Sequence, residues 1–340
     1  MPKPITIVGG GLAGLTLGIG LRQRGVPVTI YEAGNYPRHR VCGEFISGRG
    51  RLALEELGLL KSIINASAIT ANDAAFFSST DKIHHKLPQP ALSISRYHLD
   101  ALLAETFRKM NGQLEANQRW TKQFNEAVVR ATGRRPQSQN TNGRWFGLKC
   151  HARNVSLDAD LEMHIVPNGY VGICRLPANE VNVCALFRSD TPVRDLSREW
   201  RNWLQGPPNS ALRQRLHDAA FDENSFCSAA GLDLRPHQAS EHSECSIGDA
   251  VTMIAPATGN GMSMAFESAA LAIEPLVRFS DGNTNWDETK RAIASACDQT
   301  FARRLKWAAR LQYLLMSQPR CAMTLGKFSP LWRLFFRATR

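Results

Sequence analysis

Gly9-Gly10-Gly11-Leu12-Ala13-Gly14, close to the amino terminus, has the spacing that lets a chain hold a pyrophosphate. Gly9 permits a tight turn, Gly11 lets the backbone approach phosphate oxygens, and Gly14 lets a helix pack against a strand. A helix opening here would present free N–H groups and the positive end of its dipole to an anion. Glu32, after a second β-branched run, can accept hydrogen bonds from ribose hydroxyls. Further along, Gly248-Asp249 ends a short strand, a loop carries Pro256, Gly259 and Gly261, and a helix starts near Met262. Asp249 is placed to hydrogen-bond a polyol; read alone, it is a turn or helix-cap aspartate. The Gly turn at 259–261 opens another helix N-terminus toward a phosphate or an electron-rich ring. That chemistry suits the ribityl chain and pyrimidine end of a flavin.

The elements that must position these groups are legible in the hydrophobic pattern. Residues 5–8 and 28–31 read as strands and 15–21 as the helix between them, a βαβ unit. Residues 49–58 and 95–110 read as helices, the second with Tyr97, Leu99, Leu102, Leu103 and Phe107 at helical spacing. Residues 74–77 and 82–87 read as strands joined by a Ser-Ser-Thr-Asp turn, 128–131 as a short strand, and 134–143 as a polar loop. From 145 to 188 four strand-like runs alternate with turn residues, which implies an antiparallel sheet. Residues 196–216 read as helix, interrupted at Gly206-Pro207-Pro208. The fold class expected is α/β: a Rossmann-like parallel-sheet domain, an antiparallel-sheet substrate domain and C-terminal helices. Residues 1–75, 93–135 and 240–280 are assigned to a discontinuous cofactor domain, 76–92 and 144–239 to the substrate domain, and 281–340 to a helical basic segment.

Composition narrows the class. Eight scattered cysteines, with no CxxC pair and no metal spacing, argue against a zinc or redox-disulfide centre, and no metal site is expected. No apolar run reaches the length of a membrane-spanning helix, and the first strand begins too early for a signal peptide, so a cytoplasmic location is expected. The net charge is +11. Residues 301–340 hold nine Lys or Arg and no acid, interleaved with apolar and aromatic side chains. They read as a basic amphipathic helix pair that either packs on the body or lies on an anionic bilayer. No nucleic-acid-binding module is visible.

Four landmarks in order resemble the FAD-dependent oxidoreductases of the aromatic-hydroxylase (group A flavin monooxygenase) and geranylgeranyl-reductase superfamily. They are the Gly turn with Glu32, the segment Arg38-His39-Arg40-Val41-Cys42-Gly43-Glu44, the helix start Ser95-Arg96-Tyr97-His98-Leu99-Asp100, and the Gly248-Asp249…Pro256…Gly259-x-Gly261 stretch. The resemblance covers residues 1 to about 275. It implies FAD as cofactor, with Gly9, Gly11 and Gly14 on the pyrophosphate, Glu32 on the adenosine ribose, and Arg40 and Arg96 at the phosphates or beside the cofactor. Gly248 and Asp249 would meet the ribityl chain, and Pro256, Gly259 and Gly261 the isoalloxazine. Two departures stand out. Only residues 112–127 remain where the family carries a small β-meander, and residues 129–133 read Val-Arg-Ala-Thr-Gly where the family ends its middle motif in Asp-Gly, the aspartate tied to FAD and to reduced nicotinamide.

On this resemblance the chain is expected to be a monooxygenase-type enzyme acting on a hydrophobic small molecule, with NAD(P)H as electron donor. The alternatives are a geranylgeranyl-reductase-like enzyme that reduces C=C bonds of a lipid-like substrate, and a flavin-binding assembly partner without turnover. Cys42 is a candidate reactive thiol, its pKa lowered beside Arg40, or a packing cysteine. Glu44 is a candidate proton donor or a surface glutamate. His151, His164, Tyr170 and Arg175 are left unassigned. The Trp-x-Trp-x-x-Pro signature of flavin halogenases is absent, which argues against halogenation.

Overall fold

A computed structural model describes residues 1–79, 81–135, 144–191, 193 and 195–340. Most of the polar loop expected at 134–143, and Thr80 of the expected turn, lie outside the described residues.

The chain begins as its pattern dictates. Strand β1 (Ile5–Val8), helix α1 (Leu12–Arg22) and strand β2 (Val28–Glu32) form the βαβ unit. Leu12 to Leu21 of α1 are buried without exception, which is why this helix is apolar on every side. Each fully buried Leu or Ile there contributes about 1.5–3 kcal/mol. A short strand β3 (Phe45–Ile46), helices α2 (Arg49–Glu56) and α3 (Leu60–Asn65), and strands β4 (Ile69–Phe77) and β5 (Lys82–Ser93) follow. Helix α4 (Arg96–Lys109) is capped by the Ser95 side chain, which accepts the His98 backbone N–H. Strands β6 (Gln113–Ala116) and β7 (Val128–Arg130) complete the first half.

The second half holds strands β8 (Arg144–Arg153), β9 (Leu161–Val166), β10 (Gly169–Arg175) and β11 (Val181–Ser189). Helices α5 (Leu196–Gln205) and α6 (Ala211–Arg215) break at the expected Gly-Pro-Pro, and strand β12 (Ala220–Ala230) follows. Strand β13 (Cys245–Ser246) returns the chain to the first sheet. Helices α7 (Gly261–Ser280), α8 (Trp286–Ser317), α9 (Pro319–Gly326) and α10 (Ser329–Ala338) end it.

Two sheets result. One is parallel, in the order β13-β7-β1-β2-β6. The other has eight strands, in the order β12-β8-β11-β10-β9-β4-β5-β3. It is mixed rather than purely antiparallel, because Ala74–Phe77 of β4 pair in parallel with Leu161–His164 of β9. Three further differences from the sequence reading have physical causes. Strand β4 starts at Ile69, so the eight-stranded sheet claims residues assigned to the cofactor side of residue 75. Strand β6 is a half-exposed edge strand with polar residues, and β12 carries a register shift between Asp222 and Cys227 that breaks its alternation; neither shows a two-residue period. The expected C-terminal helix pair is three helices, α8 to α10, and α8 begins well before residue 301.

The basic C-terminal segment packs on the body: Phe301, Leu305 and Ala308 of α8 belong to the main core. A buried ion pair pins it. Arg304 Nη1 and Nη2 lie 2.7 and 2.9 Å from the two carboxylate oxygens of Glu267 on α7. A bidentate geometry offsets the cost of taking both charges out of water, but either partner alone is left stranded. Glu267→Ala is therefore expected to cost about 3–5 kcal/mol, read as a lowered denaturant midpoint. A loss below about 1 kcal/mol, the range of an exposed pair, would show that this pair does not pin α8.

Candidate cofactor and substrate site

A cavity of ≈ 1270 Å³ lies against the ends of β1 and β7, the inner face of the eight-stranded sheet and helices α8 to α10. Ligand pockets commonly span about 300–1,000 Å³, so this one has room for a dinucleotide and a second molecule.

At one end the Gly turn is built for close backbone approach. Gly9 has φ +109°, and a Cβ there would run into the Ala131 carbonyl; one on Gly14 would run into the Gly9 carbonyl. At Gly11 the space is open. Gly11 caps α1 without a side-chain hydrogen bond, so the helix's first N–H groups face the cavity unclaimed by any cap. This cradle fits a pyrophosphate.

Glu32 is buried and tightly held. It accepts the Gly10 N–H at 2.8 Å and the Gly34 N–H at 2.9 Å, and pairs with Arg38 at 2.6 Å. Burial works to raise its pKa; the Gly34 hydrogen bond and the charges of Arg38 and Arg40 outweigh it and pull it below the usual carboxylate range. Arg40 bridges Glu32, at 3.5 Å, and the wholly buried Asp100, at 3.2 Å. Arg96 forks onto the same Asp100 at 2.6 and 2.8 Å. Both arginines line the cavity, but each arrives already neutralised by a carboxylate.

Asp249 behaves differently. It lines the cavity, and no hydrogen bond or ion pair holds its carboxylate among the described residues. Enclosing protein raises its pKa to about 6, against the opposing charges of Arg96 and Arg134. An unsatisfied carboxyl facing this space is what hydroxyl groups of a bound polyol would satisfy. Gly248, with φ +62°, Pro256, Gly259, with φ +66°, and Gly261 are placed beside it, and the last three also line the cavity.

Two sequence expectations are corrected. The Cys42 thiol is not activated: burial pushes its pKa up, only partly opposed by Arg96, while Arg40 is engaged by Asp100 and Glu32. Glu44 is neither a surface residue nor a ready proton donor. It is fully buried, with φ +56°, and accepts from His151 Nε2 at 2.8 Å and from the Arg96 backbone N–H at 2.9 Å, with Lys149 Nζ at 3.5 Å. Burial favours its protonated form, but the His151 hydrogen bond and the Lys149 charge win and keep it a carboxylate. Glu44 thus clamps the Cys42-Gly43 segment to the eight-stranded sheet.

The residues left unassigned divide. His151 serves this clamp, and His164 stacks on Phe77 at 4.4 Å and pairs with Glu162. Arg175 bonds the Leu157 carbonyl. Only Tyr170 of the four lines the cavity, and its hydroxyl has no hydrogen-bond partner among the described residues.

Sequence reasoning missed several lining residues. The stretch after β6, read as a shortened remnant, brings Gln118, Arg119 and Trp120 to the cavity beside Tyr31. Tyr36 donates from its hydroxyl to the Gly10 carbonyl at 2.5 Å. Trp332, Phe336, Thr339 and Arg340 of the C-terminal end also reach in. None belongs to a spaced motif; the basic, aromatic-rich amphipathic pattern of the last segment was the signal near the last four.

A parallel sheet with a Gly-rich turn after its first strand, roofed by a large curled sheet, defines an FAD-binding flavoenzyme, and the comparisons agree. Residues 3–144 match the family described as FAD binding domain, and residues 147–316, half of the chain, match squalene epoxidase. The chain belongs to the squalene epoxidase family of FAD-dependent, monooxygenase-type enzymes. Solved structures share its fold: the flavin-dependent brominase Bmp2 (TM-score 0.77, 16% identity, 98% of this chain and 92% of that one); the flavin-dependent halogenase CmlS (0.71, 17%, 100% and 68%); and P. aeruginosa PqsL in complex with 2-aminobenzoylacetate (0.71, 15%, 94% and 98%). Conditioned medium factor receptor 1 of Dictyostelium discoideum is 22% identical across 84% of this chain. The chain spans 66% of that relative's length.

The Asp249 environment yields a pH signature. Its folded pKa of about 6 lies above the roughly 3.9 of an unfolded aspartate, so between these values the folded protein holds a proton that the unfolded chain has released. This contribution to the stability of the FAD-free protein is present below about pH 4 and lost as pH rises through about 6. Asp249→Asn, which cannot ionise, removes that dependence: its thermal midpoint should exceed the wild type's above pH 6, with the gap closing toward pH 4. Parallel midpoint-versus-pH curves for the two proteins would contradict this environment.

Proposed function

We propose that this protein is a monooxygenase that uses FAD, with NAD(P)H as electron donor, to place one oxygen atom in an apolar small molecule. The balance is NAD(P)H, a proton, O₂ and substrate going to NAD(P)⁺, water and oxygenated substrate. The observation that carries the reading is the continuity of the cavity. One cavity is lined by the pyrophosphate cradle, by Asp249 and by the apolar side chains of Met163, Leu186, Leu311, Leu315, Met323 and Phe335. Such walls select an apolar substrate and exclude water, and the squalene epoxidase match is to a family named for an apolar alkene.

Bound flavin supplies the two-electron and oxygen chemistry. The protein's share is placement. The Gly turn and the N-terminus of α1 would hold the phosphates, and the Asp249 carboxyl would hold or accept a proton at a cofactor hydroxyl. The Glu44–His151–Lys149 clamp fixes the Cys42-Gly43 segment, which lines the cavity. The Tyr170 hydroxyl can donate to an acceptor on the substrate, and burial holds its pKa well above the usual phenol range, so it keeps that proton.

Delivery of the substrate from a membrane surface belongs to the same reading. No helix among the described residues is long and apolar enough to cross a membrane. The helices that wall the chamber carry Arg310, Arg333 and Arg337 outward beside exposed Tyr313, Phe328 and Leu334, a mixture suited to an anionic bilayer surface.

Two measurements follow. Anaerobic NADPH should bleach the flavin bands of the purified protein, and air should restore them through a transient, spectrally distinct species. Slow, featureless reoxidation would assign the reductase reading instead, and stoichiometric flavin that no nicotinamide reduces would assign the non-turnover partner. Separately, the triple variant Arg310→Glu, Arg333→Glu, Arg337→Glu should lose at least tenfold in affinity for vesicles rich in anionic phospholipid. Undiminished binding would remove the membrane from the proposal.

A further inference from the structure

The end of α10 places a cation where the cofactor reading needs one. Arg340 lines the cavity next to Thr258, Gly259 and Gly261. Its Nε donates to the Ser47 hydroxyl at 3.1 Å, Nη2 to the Thr258 carbonyl at 3.1 Å, and Nη1 to the Thr339 hydroxyl at 3.2 Å. Its guanidinium lies 3.6 Å over the Phe336 ring, and the Asn260 side chain donates to the Thr339 carbonyl, fastening the helix end to the Gly turn. Ser47, Asn260 and Thr339 are all buried.

What is missing is an anionic side chain. Every hydrogen-bond acceptor of this guanidinium is neutral, and no carboxylate pairs with it among the described residues; the neighbouring Arg304 is spent on Glu267. Three of its five N–H groups are used, which leaves two. A cation drawn partly out of water and held only by neutral acceptors is costly unless an opposite charge arrives. Burial, with Arg304 adding to it, pushes the Arg340 pKa down to about 9, so the charge persists at neutral pH at a cost. Contrast Arg40 and Arg96, which also line the cavity and share the Asp100 carboxylate.

We propose that Arg340 is the electrostatic partner of the reduced flavin, compensating the negative charge that reduction places on the end of the cofactor beside the Gly turn at 259–261. The inference rests on FAD occupying the cavity. It goes beyond the monooxygenase reading, because it holds whichever reaction the reduced cofactor performs. The balance is oxidised flavin plus two electrons and one proton giving the anionic reduced flavin, with the electrons supplied in the test by dithionite through redox mediators. Arg340 gains an interaction only in the reduced state, so it favours reduction over oxidation.

The test is a spectroelectrochemical titration of the FAD-loaded full chain. Arg340→Gln should weaken the preference for reduced over oxidised cofactor at least tenfold, a drop of about 30 mV for a two-electron couple, while its affinity for oxidised FAD stays within a few-fold of wild type. Arg340→Lys should keep the potential near wild type. Full FAD loading with an unchanged potential in Arg340→Gln would overturn the assignment. A second readout needs no variant: in the wild-type holoprotein, backbone hydrogen exchange across residues 329–340 should slow on reduction, and equal exchange in both redox states would also overturn it. Failure of the wild type to bind FAD at all would instead sink the flavoenzyme reading, so the two failures are separable.

Discussion

The close approach of three backbone segments at the end of β1 is the constraint on which the rest depends. Gly9 lies against Ala131 and Thr132 beyond β7, and Gly14 lies against Gly9. No side chain fits between them, so α1 starts tight against the sheet and its first N–H groups open into the cavity rather than onto a cap. Any Cβ at Gly9 or Gly14 would force β1, β7 and α1 apart. The register of β1 with β7, which pairs Thr6, Ile7 and Val8 with Val128, Val129 and Arg130, is what brings Ala131 to that spot.

Charge is distributed along the cavity by the same economy. Toward the Gly turn, each arginine has an acid: Arg38 and Arg40 meet Glu32, and Arg40 and Arg96 meet Asp100. This network orders the strap of residues 38–44, with three arginines sharing two carboxylates. Beneath the strap, Glu44 is balanced by His151 and Lys149. Asp249 and Arg340 also line the cavity, at opposite signs and on different elements, and neither is ion-paired among the described residues. Buried groups left unsatisfied by the protein are the places where a ligand has most to add.

The apolar chamber exists because elements far apart in the chain meet. Strands β4, β9, β10 and β11 give its sheet face, and α8, α9 and α10 close the other side. The C-terminal segment therefore does two jobs with two faces. Its inner face supplies core at Phe301, Leu305 and Phe336, while its outer face stays cationic. The basic composition and the apolar stripe, which read as alternatives in one dimension, are compatible in three.

The βαβ unit, the Gly turn between its first strand and helix, and the existence of a second sheet were legible in the chain's own pattern. Each of these is local: a fixed glycine spacing or a two- or 3.6-residue period acts through neighbours in the chain, and leaves its mark there. Tertiary structure alone decided that Glu44 is a buried clamp, that Cys42 is an unactivated thiol and that β4 pairs in parallel with β9. It also decided that Trp120 and Arg340 face the cavity. For most of these the deciding partner lies far along the chain: Lys149 and His151 for Glu44, Leu161–His164 for β4, Tyr31 for Trp120, and Ser47 and Thr258 for Arg340; for Cys42 it is burial, which Arg96 only partly opposes. Burial and charge pairing are set by such distant neighbours, and a residue's type and spacing carry no record of who they will be.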